Sequence, residues 1–457
     1  MQIDSKHAGR SRLTVYRGAG LRGEAGVGAS LLLPGDKSLS HRAALFSALA
    51  EGRSTIGNFL VSGVTHAMLD ALTRLGVVWS LDGKTLTVEG VGLAQRRSAP
   101  PVELDCGNSA TTLRLLAGGL AAWNRPAVLD GSPGLRRRPM NRIIEPLRSM
   151  GVQIEGAGGC APLQIGAARE PLRAIRYRLP VASAQVKSCL LLAGLAADGL
   201  TVLEEPGPSR DHTERMLRAM GVGLESGVEQ DYWTRLQPPD PLKLKPLCMD
   251  LPCDPSAAAF LIVAGLIVPG SSICLRGVGM NPTRTGLLET LTEMGAQIET
   301  LNPCEQGGEP VADLLIQAGP LRAARVQGER VVRMIDEFPV FALAAACAEG
   351  RTVVVEAEEL RHKESDRISV LGQELRRLGA AFEETADGFV IEGGQPLAGG
   401  AADANGDHRL AMTLALAGLV SRTPVQVRGA EMIRESFPEF VQVLAGLGAD
   451  LREEFAG

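Results

Sequence analysis

The chain has 457 residues, of which 45% are hydrophobic and 22% charged, so it is expected to form a globular protein with at least two hydrophobic cores. Its net charge of −5 and its aromatic content of only 4% argue against a nucleic-acid partner and against binding to an acidic membrane surface. The eight cysteines form no Cys-x-x-Cys pair and have no histidine at zinc-ligand spacing, so we expect buried thiols in a reducing compartment, no metal and a cytoplasmic location.

The first informative segment is residues 34–42, Pro-Gly-Asp-Lys-Ser-Leu-Ser-His-Arg. An apolar run precedes it and a helical pattern follows it, so Lys37, Ser38 and Arg42 are expected in the first turns of a helix. Free backbone N–H groups favour an anion there, and the two cations and the hydroxyl strengthen that preference. The segment therefore predicts a site for a phosphorylated small molecule. It is not a nucleotide P-loop, because Asp36 stands where that motif needs a glycine.

A pattern Leu-x-x-(Leu/Met)-Gly-(Val/Ala) recurs six times along the chain, with a period of roughly 70–80 residues. Each copy predicts the end of an amphipathic helix, with glycine in the left-handed position after the last turn and a short strand beyond it. The regular spacing predicts a pseudo-repeated α/β protein with three units in each half. The glycines are Gly76, Gly151, Gly221, Gly295, Gly379 and Gly448.

Polar groups precede several other apolar helical patterns. Asp336, Arg210 and the segment 183–185 each stand at such a start, and Pro139 follows three arginines at what we expect to be the first position of a helix. Lys363, Glu364 and Arg367 have the spacing that would bring them to one side of a helix. Residues 257–268 are apolar but too few to span a membrane, so they predict a buried helix.

Taken together, these motifs resemble those of the 5-enolpyruvylshikimate-3-phosphate synthase (3-phosphoshikimate 1-carboxyvinyltransferase) family over essentially the whole chain. The resemblance implies a two-domain inside-out α/β barrel, each domain built from three βαβαββ repeats. It implies one domain of residues 1–34 and 254–457, another of 35–253, and an active site in the cleft between them. The matching motifs are residues 34–38, 107–111, 138–140, 183–187, 281–284, 363–367 and 407–409.

The resemblance also implies the activity: transfer of the enolpyruvyl group of phosphoenolpyruvate to the 5-hydroxyl of shikimate 3-phosphate, with release of phosphate. The expected route is addition followed by elimination, in the shikimate pathway to chorismate and the aromatic amino acids. No metal or organic cofactor is expected. The expected partners are the two small-molecule substrates, and we expect a monomer.

Residue roles follow from the same resemblance. The catalytic groups are expected to be Asp336, Glu364 and Lys37. Shikimate 3-phosphate is expected to contact Lys37, Ser38, Arg42, Ser183, Ala184, Gln185, Arg210, Asp336 and Lys363. Phosphoenolpyruvate is expected to contact Lys37, Ala110, Arg138, Gln185, Arg367 and Arg409. Asp336 would take the proton from the attacking hydroxyl, and Glu364 would move a proton at the methylene carbon.

Two positions depart from the common family pattern. Ala110 stands where many members have glycine, and with residues 183–187 and 210–214 it resembles the glyphosate-tolerant class, so weak inhibition by glyphosate is expected. Glu435, beside Arg434, stands where many relatives have lysine.

Two alternatives remain. The enolpyruvyl transferases that act on UDP-N-acetylglucosamine share the fold, but they carry a reactive cysteine in the loop that corresponds to residues 131–136, where this chain has none. A non-catalytic phosphate-binding protein would keep the arginines without needing Asp336 and Glu364. Phosphate release with each acceptor separates these alternatives.

Overall fold

The computed structural model describes residues 11–93, 100–168 and 171–455. The ten N-terminal residues of the expected first domain lie outside this range. The strands in the described residues are β1 (Ser11–Val15), β2 (Arg22–Gly26), β3 (Glu51–Gly57), β4 (Val78–Asp82), β5 (Thr85–Val91), β6 (Val102–Asp105), β7 (Ala127–Asp130), β8 (Ile154–Ala157), β9 (Cys160–Ile165), β10 (Arg176–Arg178), β11 (Thr201–Glu205), β12 (Gly223–Val228), β13 (Tyr232–Gln237), β14 (Cys248–Asp250), β15 (Ser272–Gly279), β16 (Gln297–Gln306), β17 (Glu309–Gln317), β18 (Arg325–Val326), β19 (Arg351–Val354), β20 (Ala381–Glu384), β21 (Phe389–Glu392), β22 (Gly400–Asp403), β23 (Val425–Arg428) and β24 (Leu451–Phe455).

The helices of the same residues are α1 (Lys37–Leu49), α2 (Gly63–Arg74), α3 (Ala110–Trp123), α4 (Pro133–Arg136), α5 (Asn141–Ser149), α6 (Ala184–Gly194), α7 (His212–Ala219), α8 (Pro255–Ile267), α9 (Gly286–Glu293), α10 (Glu329–Arg333), α11 (Phe338–Cys347), α12 (Arg367–Arg377), α13 (His408–Gly418) and α14 (Phe440–Gly446). Short 3₁₀-helices span Pro282–Arg284, Glu358–His362 and Ala430–Glu435. No described helix is long and apolar enough to cross a membrane.

The chain divides into two compact units. The C unit contains residues 11–34, Cys253–Cys304 and 311–455, and the N unit contains the described residues of Gly35–Pro252 together with Glu305–Pro310. These ranges differ from the expected division at Cys253 and at residues 305–310. The reason for the second difference is that the tip of the β16–β17 hairpin bonds within the N unit: Arg215 Nη1 donates to Gly308 O at 3.0 Å, and His212 Nδ1 lies 2.8 Å from Glu309 Oε1.

In both units the strands form three four-stranded sheets of one design. The N unit has the orders β14-β3-β5-β4, β6-β7-β9-β8 and β10-β11-β13-β12, and the C unit has β16-β17-β15-β2, β18-β19-β21-β20 and β22-β23-β1-β24. In every sheet one edge strand runs parallel to its neighbour, which pairs antiparallel on its other side. These six sheets confirm the expected repeats and the inside-out α/β fold.

Each repeat supplies one helix buried on nearly every face. In the N unit these are α1, α3 and α6, and in the C unit they are α8, α11 and α13. Such helices can be apolar all round because they lie inside a hydrophobic core. The buried helix expected over residues 257–268 is confirmed as α8.

The amphipathic helices α2, α5, α7, α9, α12 and α14 complete the repeats. Each is followed, one residue after its C-cap, by one of the six glycines of the recurring pattern, and each of those glycines has a positive φ between 83° and 101°. A side chain is disfavoured in this conformation. The expected glycine stops are therefore confirmed in all six copies.

Candidate active site

The first helix of the N unit begins at the segment that predicted an anion site. Asp36 caps α1, because its Oδ1 accepts from Leu39 N at 2.9 Å. Lys37 and Ser38 are half-buried in the first turn, whereas Arg42 is buried one turn later. The expected delivery of these three side chains to a helix start is thereby confirmed.

The start of α3 contacts the start of α1. Ser109 caps α3 by accepting from Thr112 N at 3.1 Å, and Ala110 is its first residue and is buried. The ring of His41 joins the two helices, with Nδ1 2.7 Å from Lys37 O and Nε2 3.3 Å from Ser109 Oγ. Burial lowers the pKa of His41 to about 4, so a neutral imidazole holds the junction at neutral pH.

The start of α6 contacts α3 in turn. Ser183 caps α6, and Gln185 lies in its first turn. The Gln185 side chain is fixed at both ends: Nε2 donates to Thr111 Oγ1 at 2.9 Å, and Oε1 accepts from Arg114 Nη1 at 2.5 Å. The three buried helices of the N unit therefore bring their N-termini together.

Ser38 is contacted by Arg42, one turn later in α1, and by Arg210, which is distant in the chain. Arg42 Nη1 donates to Ser38 O at 3.0 Å, and Arg210 Nη1 donates to Ser38 Oγ at 3.2 Å. Arg42 also donates to Thr213 Oγ1 and Ser188 Oγ, both at 2.8 Å. Burial lowers the pKa of Arg42 to about 10, which leaves it charged at neutral pH.

Arg138 lies in a turn rather than at the helix start that we expected. Pro133, not Pro139, is the first residue of a helix, the short α4, and the next helix begins only at Asn141. Pro139 instead accepts a hydrogen bond through its carbonyl from Arg114 Nη2 at 3.0 Å. The expectation for Pro139 is therefore wrong, because Ser132 caps an earlier turn. The contacts described above bring together the groups that we call the first cluster, which are Lys37, Ser38, Arg42, Ala110, Ser183, Ala184, Gln185 and Arg210. They do not include the Arg138 side chain, whose part in the site stays a prediction.

In the C unit a single buried guanidinium gathers three carboxylates. Arg367 Nε donates to Asp407 Oδ2 at 2.8 Å, and Nη2 donates to Glu364 Oε2 at 2.7 Å. Its Nη1 lies 3.4 Å from Asp336 Oδ1. Burial opposes the charge of Arg367, but Asp407 and Glu364 outweigh it and raise the pKa of this guanidinium. Burial likewise opposes the charge of Asp407, and Arg367 keeps the pKa of that carboxyl low.

Arg409 and Lys363 complete the cations of the C unit. Arg409 Nη2 lies 3.7 Å from Asp336 Oδ2, and its Nη1 lies 3.9 Å from Glu337 Oε1. Burial lowers the pKa of Lys363 despite nearby Asp336. Lys363 and Glu364 precede α12, whose cap is Asp366, so the expectation that they lie on one side of a helix with Arg367 is wrong. Glu364 contacts Arg367 from the residues just before the helix instead. We call Asp336, Lys363, Glu364, Arg367, Asp407 and Arg409 the second cluster.

Several buried groups that support the second cluster had no expected role. Arg284 Nη2 donates to Asp254 Oδ1 at 3.1 Å and to Ser256 Oγ at 2.8 Å. The hydroxyl of Ser256 donates to Glu337, which adjoins Asp336. The sequence signals were the Asp-Pro start of α8 and the motif at residues 281–284, but neither signal identifies the partner.

The departure at Glu435 also has a structural outcome. Its Oε2 lies 3.9 Å from Nδ1 of buried His408, and Arg434 Nη2 donates to Glu453 Oε1 at 3.4 Å.

Among the residues that the structure describes, no three His, Cys, Asp or Glu side chains are grouped closely enough to hold a metal ion.

Most of the chain is similar in sequence to proteins of one family. The profile of the family described as EPSP synthase (3-phosphoshikimate 1-carboxyvinyltransferase) matches residues 21–444. A 3-phosphoshikimate 1-carboxyvinyltransferase of Citrifermentans bemidjiense is 46% identical over 95% of this chain and 98% of its own length. One of a Roseiflexus species is 48% identical over 90% of this chain and 95% of its own length.

Solved structures give the same result. An EPSP synthase of Acinetobacter baumannii superposes with a TM-score of 0.84 and 40% identity, covering 97% of this chain and all of the other. The enolpyruvyl transferase NikO of Streptomyces tendae, at 21% identity and a TM-score of 0.77 over 98% of this chain, shares the fold. The chain belongs to the EPSP synthase (3-phosphoshikimate 1-carboxyvinyltransferase) family.

Proposed function

We propose that the two clusters bind the two substrates of the family reaction. That reaction transfers the enolpyruvyl group of phosphoenolpyruvate to the 5-hydroxyl of shikimate 3-phosphate and releases phosphate. The observation that carries the proposal is the gathering of cations at helix starts in each unit, such as Lys37 at α1, Arg367 at α12 and Arg409 at α13. Two phosphates and two carboxylates need several cations and oriented N–H groups, and both clusters offer them.

Shikimate 3-phosphate is assigned to the first cluster, together with Asp336 and Lys363 of the second. The contact of Arg210 Nη1 with Ser38 Oγ at 3.2 Å supports a phosphate subsite, because a hydroxyl and a guanidinium donate there side by side. Arg42 holds the same turn through Ser38 O. The assigned residues are Lys37, Ser38, Arg42, Ser183, Ala184, Gln185, Arg210, Asp336 and Lys363.

Phosphoenolpyruvate is assigned to both clusters. Arg367 and Arg409 are buried and partnered by carboxylates, which keep the cations in place before the anion arrives. Gln185 is oriented by Thr111 and Arg114, so its position is set without substrate. The assigned residues are Lys37, Ala110, Arg138, Gln185, Arg367 and Arg409.

Proton transfer is assigned to Asp336, Glu364 and Lys37. Asp336 takes the proton of the attacking hydroxyl, while Lys37 is a proton donor that touches both substrates. Glu364 moves a proton at the methylene carbon. An anion that draws Arg367 away from Glu364 leaves this carboxylate without its cation and favours its protonated form, which suits the role.

Weak inhibition by glyphosate is part of the proposal. Ala110 is the first residue of α3 and is buried, so its methyl group takes up space that glycine would leave open. Glyphosate is longer than phosphoenolpyruvate, and the lost space weighs more against the longer molecule.

We also propose a cellular compartment, an oligomeric state and a cofactor requirement. All eight cysteines are free thiols, but Cys248 and Cys304 are exposed, so the expectation of buried thiols is wrong for these two. Free thiols fit a reducing compartment, and we propose a cytoplasmic monomer that needs no metal or organic cofactor. Its product feeds chorismate and aromatic amino acid biosynthesis.

The test is phosphate release from phosphoenolpyruvate with two different acceptors. We expect release with shikimate 3-phosphate and none with UDP-N-acetylglucosamine. Release with the second acceptor alone would favour the sister transferase. Tight binding of both substrates without release would favour a non-catalytic protein.

A further inference from the structure

The ammonium group of Lys187 is buried between two carboxylates that have no part in the proposed function. Its Nζ lies 2.6 Å from Glu205 Oε1 and 2.7 Å from Glu214 Oε1. The three side chains are 4%, 5% and 1% exposed. Lys187 belongs to α6, Glu205 ends β11 and Glu214 belongs to α7, so one cation joins three elements of the N unit.

Neighbouring charges stabilise the buried ammonium group of Lys187. Buried charges are tolerated only where they are paired and hydrogen-bonded. Burial opposes the charge of Lys187, but Glu214 and Glu205 outweigh it and raise the pKa of the ammonium. Arg42 donates to Ser188 and Thr213, the neighbours of Lys187 and Glu214 in the chain. Arg42 therefore lies beside this group, and the charge of Glu214 favours the charged form of Arg42.

The same group fixes the residue that precedes Arg210. Lys187 Nζ donates to Ser209 O at 3.4 Å, and Ser209 Oγ donates to Glu205 Oε1 at 2.9 Å. Ser209 is thus held by its carbonyl and by its hydroxyl. Glu214 holds the first turn of α7 on the other side of Arg210.

We propose that Lys187, with Glu205 and Glu214, is a positioning residue that holds Arg210 against Ser38 to receive the phosphate of shikimate 3-phosphate. This inference rests on the proposed function. Lys187 acts through Arg210 and touches no reacting atom, so it governs the binding of one substrate rather than the chemical step. Gln185 is held separately by Thr111 and Arg114, so the phosphoenolpyruvate contacts on α6 do not depend on Lys187.

A double-mutant cycle tests this coupling. The four proteins are the wild type, Lys187→Met, Arg210→Ala and the double variant, and KM is measured for each substrate. Lys187→Met is expected to raise KM for shikimate 3-phosphate about tenfold or more, while kcat and KM for phosphoenolpyruvate stay within about twofold. In the Arg210→Ala background the same change is expected to raise KM by less than about twofold.

Two further variants serve as a control and as a substitute for Lys187→Met. Lys243→Met breaks an exposed pair in the same unit, in which Nζ lies 3.0 Å from Glu51 Oε2, and is expected to change neither KM. Glu205→Gln keeps an acceptor for Lys187 and Ser209 while it removes a charge. It replaces Lys187→Met in the cycle if that variant does not fold, and the same non-additivity with Arg210→Ala is expected.

Additive effects of Lys187→Met and Arg210→Ala on KM, or a fall in kcat with KM unchanged, would overturn the inference. Failure of the proposed function looks different, because the wild type would then release no phosphate. In that case the cycle is measured as the affinity for shikimate 3-phosphate by calorimetry. The same non-additivity supports the inference, and additivity or absence of binding overturns it.

Discussion

Arg367 donates from Nη2 to Oε2 of Glu364 at 2.7 Å, so the guanidinium assigned to phosphoenolpyruvate is paired with the carboxylate assigned to its methylene proton. An anion that binds Arg367 therefore competes with Glu364 for the same guanidinium group. A substitution of Glu364 that keeps the hydrogen bond to Arg367 but cannot transfer a proton separates anion binding from proton transfer.

Glu364→Gln is that change. We expect kcat to fall about 100-fold or more, while KM for phosphoenolpyruvate stays within about threefold, since the amide oxygen still accepts from Arg367. In deuterated water the variant should also lose deuterium incorporation at the methylene carbon. The control is Glu358→Gln, at an exposed residue of a nearby 3₁₀-helix. Normal deuterium incorporation by Glu364→Gln would assign the proton to another group.

Ala110→Gly tests the origin of glyphosate tolerance. Removing one methyl group at the start of α3 should lower the inhibition constant of glyphosate about tenfold or more, while KM for phosphoenolpyruvate changes much less. The measurement is competitive inhibition of phosphate release. Strong inhibition of the wild type, with no further change in the variant, would show that Ala110 does not set tolerance.

The low pKa of buried His41 predicts that the folded protein loses stability in acid. Its pKa falls from 6.5 in the unfolded chain to about 4 in the folded protein, so between these values the unfolded state binds more protons. The free energy of unfolding should therefore be fully retained above pH 6.5 and fall by up to about 3 kcal/mol as the pH drops to 4. Urea unfolding of His41→Gln should show a shallower fall. The exposed His362→Gln should follow the wild type, and identical curves for all three proteins would contradict the assignment.

Gly118→Ala tests the packing that carries Ala110 and Gln185. A Cβ at Gly118 would lie 2.2 Å from Cys189 O on α6, whereas one at Gly119 would lie 3.3 Å from the side chain of Leu45. Alanine favours both helical positions by about 1 kcal/mol. We therefore expect Gly118→Ala to lower the free energy of unfolding by about 2 kcal/mol and Gly119→Ala to change it by less than about 1 kcal/mol. Equal effects in denaturant unfolding would mean that α3 and α6 can separate at Gly118 without cost.

The helix starts and stops were predictable because they are encoded locally. Asp36 and Ser109 each accept from a backbone N–H group three residues away, and Gly76 or Gly295 ends a helix through its own φ. A short stretch of sequence contains all of the atoms involved. The six repeats followed from these local signals.

Partners distant in the chain were not predictable in this way. Lys187 meets Glu205 and Glu214, and Arg367 meets Asp407 forty residues later. Such pairs depend on how the buried helices pack, which no local pattern specifies. The same holds for the tip of the β16–β17 hairpin, where Glu309 meets His212.

We propose that Asp336 and its neighbours carry out enolpyruvyl transfer to shikimate 3-phosphate. The most direct measurement is mass spectrometry of the products after incubation with both substrates, for the wild type and for Asp336→Asn. The wild type should convert shikimate 3-phosphate into a product one carboxyvinyl group heavier, with one phosphate released per product. Asp336→Asn should bind both substrates but form product more slowly, by a factor of at least about 100. Phosphate release without the heavier product, or unchanged turnover by Asp336→Asn, would contradict the account.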